Sequence, residues 1–217
     1  MQENMESIFE EIRRSLDEAD AAREEMLSLG REVVRLSGRA ITKMIAGEVE
    51  RAEEEMSRMR EASSELLRKI EGHQELLRSA AMDGFLAEYV EAEALYHVLK
   101  ERRIPSPREL GVGPVPYVLG LADLIGELRR LVLEEVKRGN MDASWMLLRV
   151  MEYIFSLIST LDYPDAILPG LRHKVDVDRR LIDETKFFLV DMESRRRLEK
   201  ALKEAVVRAE ERSATEL

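Results

Sequence analysis

Apolar positions recur at helical spacing through nearly the whole chain. Over the first 46 residues Ile8, Ile12, Leu16, Ala19, Met26, Leu29, Val33, Leu36, Ala40 and Met44 fall three, four or seven apart, which predicts one long helix with a stripe for burial. Gly30 and Gly38 lie inside that stripe. Each costs up to about 1 kcal/mol relative to alanine in a helix, so each marks a kink or a close approach. A second helix is expected from about Gly47 to Ile70, stopped by Gly72, and a third from His73 to Arg102. The segment IPSPRELGVGPVP follows and holds four of the six prolines. A fourth helix runs from about Tyr117 to Arg138, ended by Gly139-Asn140, and a fifth from about Asp142, as N-cap, to Leu161. A sixth covers Leu171 to Val190, and a seventh starts at a Ser194 N-cap and frays near Arg212. No strand-like alternation persists. The pattern predicts an all-α bundle of about seven helices in a single domain spanning residues 1–217, with its core over about 6–191. Apolar residues on more than one side of the long helices point to subunit contacts.

Composition agrees with this pattern and removes several chemistries. The 217 residues are 45% hydrophobic, 36% charged and only 5% aromatic, which suits helices laced with surface ion pairs. The absence of cysteine excludes disulfides, thiolate zinc sites and cysteine nucleophiles. The N-terminal MQENMESIFEEIRRSL has the look of neither a signal peptide nor a membrane span, and no apolar run reaches 18 residues; the expectation is a soluble, cytoplasmic protein with no membrane partner. The net charge of −10, taken alone, argues against nucleic acid. Its placement argues differently. Residues 1–30 carry three basic and nine acidic side chains, whereas residues 31–45 carry four basic and one acidic. Those four, Arg31, Arg35, Arg39 and Lys43, stand at steps of four and form a basic stripe able to meet phosphates, or else to pair with acidic neighbours. Arg102-Arg103 and Arg195-Arg196-Arg197 read as solvated surface, and Trp145 and the tyrosines as core or interface residues.

Carboxylates are abundant, so only their surroundings single any of them out. In GFLAEYVEA (84–92) the only charges are Glu88 and Glu91, three apart on one helix face. In GPVPYVLGLADLIGEL (113–128) the only charges are Asp123 and Glu127, four apart on one face, with Gly120 a turn earlier. A buried carboxylate is costly unless paired or bound to metal. Oxygen ligands without cysteine or an obvious histidine favour Mg2+ or Mn2+, which can activate water against a phosphate. The alternative is pairing with nearby bases; Arg129 or Arg130 could serve Asp123 and Glu127. A di-iron bundle is disfavoured because no histidine lies three residues after a glutamate. An all-α nucleoside triphosphate pyrophosphohydrolase is a minor alternative, because the second acidic motif is Asp-x-x-x-Glu and not Glu-x-x-Asp.

EYVEAEALYHVLKER (88–102) and VGPVPYVLGLADLIGELRR (112–130) resemble the signature segments of translin-associated factor X (TRAX) in the translin family. REVVRLSGRAIT (31–42), GNMD (139–142) and, more loosely, LRHKVDVDRRLIDETKFFLV (171–190) follow in the family's order, so the resemblance spans about residues 6–191. It implies seven helices per subunit and octameric hollow shells that bind RNA or single-stranded DNA. The factor X branch implies a Mg2+-dependent endoribonuclease, with Glu88, Glu91 and Asp123 as metal-binding catalytic residues and Glu127 as a supporting ligand. The translin branch implies a non-catalytic binding shell. Without the long insertion and basic N-terminal region of eukaryotic members, the chain looks like a compact prokaryotic or archaeal-type relative that assembles with itself. The expected partners are single-stranded or partly unpaired RNA, possibly ssDNA, and further copies of the chain as a homo-octamer.

Overall fold

A computed structural model of the chain describes the backbone of residues 2–215 and the side chains of residues 4–208. The described residues form eight helices and no strand: α1 (Gln2–Ala46), α2 (Val49–Lys69), α3 (Gln74–Leu77), α4 (Ala80–Glu101), α5 (Pro107–Leu110), α6 (Pro114–Lys137), α7 (Met141–Ile158) and α8 (Leu171–Thr215). Among these residues no helix is long and apolar enough to cross a membrane.

The all-α expectation is met, with boundaries moved by local chemistry. The expected third helix is divided at Ser79, whose hydroxyl accepts from the Met82 N–H at 3.2 Å and restarts the helix as α4. α6 begins at Pro114 and not Tyr117; proline fits the first turn, where its missing N–H has no partner to lose. Asn140, not Asp142, is the residue before α7, and Asp142 lies in the first turn. The expected break at Ser194 does not occur. The segment DMES contains no glycine or proline, so α8 continues for 45 residues, and the Ser194 hydroxyl donates back to the Val190 carbonyl at 2.9 Å. Gly47 and Gly139 end α1 and α6 with φ of 85° and 83°, a conformation that glycine adopts without a Cβ clash.

α2 folds back antiparallel on α1, pinned by Lys43–Glu55 at 2.8 Å near the turn and Lys69–Glu25 at 3.1 Å near the far end. α1 also packs on α4, α4 on α6, and α6 on both α7 and α8. α8 runs parallel to α6, as Arg129–Glu184 and the Arg196 bond to the Gly139 carbonyl require. The core holds Met26, Leu36, Met44, Met56, Leu95, Leu124, Ile125 and Leu128, each almost fully buried. α1 before about Glu25 and α8 beyond about Arg196 leave the bundle at opposite ends. The C-terminal end of α1 lies beside Arg138, whereas the α8 tail departs next to Gly139.

Two glycines set the spacing of α1, α4 and α6. The Phe85 ring of α4 occupies the space where a Cβ on Gly30 would stand, so Gly30 is a close approach; Gly38 has open space around it. A Cβ on Gly120 would lie 2.5 Å from the Ala87 carbonyl oxygen and 2.8 Å from the Val90 Cβ. Gly120→Ala therefore forces α4 and α6 apart and should cost about 1–3 kcal/mol. Gly84→Ala, at an exposed position with nothing within 4 Å, should stabilise by about 0.5–1 kcal/mol. Denaturant unfolding of the two variants checks this: equal stabilities would show that the Gly120 contact is not needed.

Candidate cation site at the α4–α6–α8 seam

The close contact at Gly120 turns one face of α4 towards α6. Glu88 and Glu91 thereby come within electrostatic range of Asp123 and Glu127, and the helix pair assembles the four carboxylates singled out in the sequence. Glu91 is only 7% exposed, and Glu88 is half-buried. Desolvation pushes the Glu91 carboxyl up to about 9, helped by repulsion from Glu88, Asp123 and Glu127 and opposed by the Lys174 ammonium. Burial raises Glu88 in the same direction, followed by repulsion from Asp123.

α8 adds two residues that sequence reading missed. Lys174 donates to Asp123 Oδ1, and Asp178, one turn further along α8, is 5% exposed. Asp178 is pushed up to about 7, first by desolvation and then by the Asp123 charge. Asp123, Gly126, His173, Lys174 and Asp178 line a cleft of about 260 Å3 between α6 and α8. In the sequence these α8 residues sit in RHKVDVDRR, where dense charge of both signs leaves no isolated carboxylate to notice. Glu127 follows the pairing alternative in part, accepting from Arg130 at 2.7 Å; Arg129 pairs instead with Glu184 at 2.8 Å.

The donor chemistry suits a hard cation. Five carboxylates, Glu88, Glu91, Asp123, Glu127 and Asp178, face two bases, Lys174 and Arg130, so oxygen donors predominate, with His173 the one imidazole lining the cleft. Among the described residues no three carboxylate or imidazole groups already converge as a metal-binding set. The ammonium of Lys174 supplies the local positive charge at Asp123.

The basic stripe on α1 divides. Arg31, Arg35 and Arg39 are exposed and Lys43 is half-buried. Arg35 is held by Glu32 one turn away, and Lys43 donates to Glu55 at 2.8 Å. Arg103 is tied to Glu101 and Glu109, and Arg195 and Arg197 to Asp191 and Glu193, as expected of solvated surface. Trp145 packs against the core, whereas Tyr153 is exposed on α7.

Comparison with known proteins places this arrangement. The family model described as "Translin family" matches residues 7–184. An uncharacterized protein of Methanocaldococcus jannaschii is 32% identical over 76% of this chain and 74% of its own length. Among solved structures, that of AfC3PO is 33% identical, covers 87% of this chain and 98% of its own, and superposes with a TM-score of 0.75. An AfC3PO–duplex RNA complex is 32% identical, covers 87% and 97%, and also scores 0.75. Apo-NeC3PO, 23% identical over 85% of this chain and 96% of its own, shares the fold with a TM-score of 0.77.

Glu91, pushed up to about 9 by burial, keeps its proton in the folded chain over a range in which the unfolded chain, with the ordinary value of 4.5, has lost it. The native state then binds more protons than the unfolded chain across that window, so stability falls as pH rises through it. Asp178 adds to the slope between its ordinary 3.8 and about 7. Thermal melts without divalent ions should give a lower Tm at about pH 8.5 than at about pH 5.5, and Glu91→Gln should remove most of the difference. A Tm that stays level or climbs over this range in the wild type would contradict the burial of a proton-bearing Glu91.

Proposed function

The chain belongs to the translin family, and from that premise we propose that it is a Mg2+-dependent endoribonuclease, nearest to the factor X branch, that cuts single-stranded or partly unpaired RNA. The observation that carries this reading is the gathering of Glu88, Glu91, Asp123 and Glu127 from two apolar helices into one mutually repelling cluster around the buried Glu91. RNA as the ligand class is supported by AfC3PO, a relative whose structure has been solved with duplex RNA.

Glu88, Glu91 and Asp123 hold the ion in this reading, with Glu127 in support; Mn2+ satisfies the same oxygen donors. When bound, the ion supplies activation of water and offsets charge developing on the phosphodiester. Glu91 would have to be unprotonated to hold the ion, so ion affinity would rise with pH. Arg31 and Arg39, exposed on α1, are the phosphate contacts of the stripe, with Arg35 and Lys43 shared with Glu32 and Glu55.

Assembly into a homo-octameric shell belongs to the same proposal. It is supported by Met5, Ile8, Phe9, Ile12 and Leu16 on α1 and Leu198, Leu202 and Val206 on α8, all exposed on the helix extensions among the described residues. A second reading, a non-catalytic shell binding RNA or ssDNA, is favoured by the pairing of Asp123 with Lys174 and Glu127 with Arg130.

Labelled RNA incubated with the assembled protein should be cut internally on addition of Mg2+. Glu88→Gln and Asp123→Asn should lower the rate at least about a hundredfold while leaving RNA retention intact. Arg31→Ala with Arg39→Ala should weaken RNA binding and flatten its salt dependence by about two phosphate contacts. RNA retention without cutting, under Mg2+ or Mn2+, would leave the binding shell as the function. Leu16→Glu should shrink the assembly in light scattering; an unchanged mass would remove the α1 extension from the interface.

A further inference from the structure

Among the described residues Asp178, unlike the buried acids Glu55 and Glu93, takes no ion pair. Its Oδ2 is sealed from solvent and has no hydrogen-bond partner, although the residue lines the α6–α8 cleft beside Asp123. The neighbouring bases on α8 do not serve it. Lys174 is committed to Asp123, the Arg180 Nε donates to the Asp176 carbonyl, and the Arg179 guanidinium lies 5.7 Å over the Phe155 ring. A carboxylate kept this far from water without a partner is expensive, and burial next to a second acid makes it more so. Helix propensity gives no reason for an aspartate there, since alanine or leucine would extend α8 better. The remaining reason is an occupant. It has to be positively charged and oxygen-seeking, and it has to enter where an ammonium already neutralises Asp123.

We propose that Asp178 is a ligand of the divalent-cation site, contributed by α8 across the seam from Asp123, and that Lys174 is a built-in counter-ion that holds Asp123 until the divalent ion displaces it. The inference rests on the reading of the carboxylate cluster as a cation site and extends it to a third helix. Lys174 and Asp178 lie four apart on one face of α8, so a single helix presents both the displaceable charge and the ligand to Asp123. Filling the site would then fasten α8 to α6, where α6 carries the acids that α4 also approaches. Cation binding becomes a structural clamp on three helices as well as a source of chemistry.

The test is a Mn2+ titration of the full-length assembled protein, read by the electron paramagnetic resonance signal of free Mn2+, together with thermal melts with and without the ion. Wild type should bind Mn2+. Asp178→Asn should weaken it about tenfold or more and shrink the Mn2+-induced rise in Tm. The same variant, relieved of an unpartnered buried acid, should melt in the absence of Mn2+ no lower than wild type, which separates loss of a ligand from loss of fold. Lys174→Met should tighten Mn2+ binding several-fold, a result that does not depend on how Asp178 variants fold. Wild-type uptake with Asp178→Asn within twofold of it, or Lys174→Met with unchanged or weaker affinity, overturns this inference and leaves the four-carboxylate site standing. Failure of the wild type to bind Mn2+ at all overturns both.

Discussion

The contact between α4 and α6 at Gly120 governs the rest of the molecule. The α4 backbone at Ala87 and the Val90 side chain fill the space where any side chain on residue 120 would begin, so the two helices approach as closely as backbones can. On its other side α4 is held by Phe85, seated over Gly30 of α1. These two glycines fix the separation and rotation of three helices, and the rotation decides which side chains are pressed together. What it brings within electrostatic range is four carboxylates. Like charges in a poorly hydrated seam repel more strongly than on a surface, because the medium screens them less. The apolar packing of α4 on α6 therefore works against the electrostatics of the residues it buries.

The same helix shows how a buried acid looks when it is purely structural. Glu93, 1% exposed on α4, receives two hydrogen bonds from the Arg60 guanidinium, at 2.6 and 2.8 Å, and closes a network with His97. Glu91, two residues earlier and nearly as buried, faces three other acids and sees only the more distant Lys174 as a favourable charge. One carboxylate has its positive partner built in. The other is left short of one, and the deficit is shared with Glu88 and Asp178. This contrast within one helix is what supports the proposed cation site at the seam.

The helix extensions express a second imbalance. α1 before Glu25 carries an apolar stripe through a strongly acidic segment, and α8 beyond Arg196 carries another, but among the described residues the two leave the bundle at opposite ends. Isolated helices of this length gain little from propensity alone. Their exposed apolar faces support the proposed assembly with further copies of the chain.

The pattern of periodicity and turn residues determined the helical class, the long first helix and the end at Gly139, because the 3.6-residue repeat and the glycine conformation are local properties. It also singled out Glu88, Glu91, Asp123 and Glu127, since lone charges in apolar runs are visible without coordinates. It misplaced the Ser194 boundary, because a serine that could cap a helix can equally sit inside one and bond back to its own turn. It left both roles of the basic stripe open, because whether an arginine faces solvent or a glutamate depends on what packs beside it. Only the tertiary structure brought Lys174 and Asp178 to the seam. Their 51- and 55-residue separations from Asp123 are bridged by the parallel packing of α8 on α6, and no local pattern records that contact. The sequence determined which acids lack neighbours of opposite charge along the chain; the fold decided which of them lack such neighbours in space.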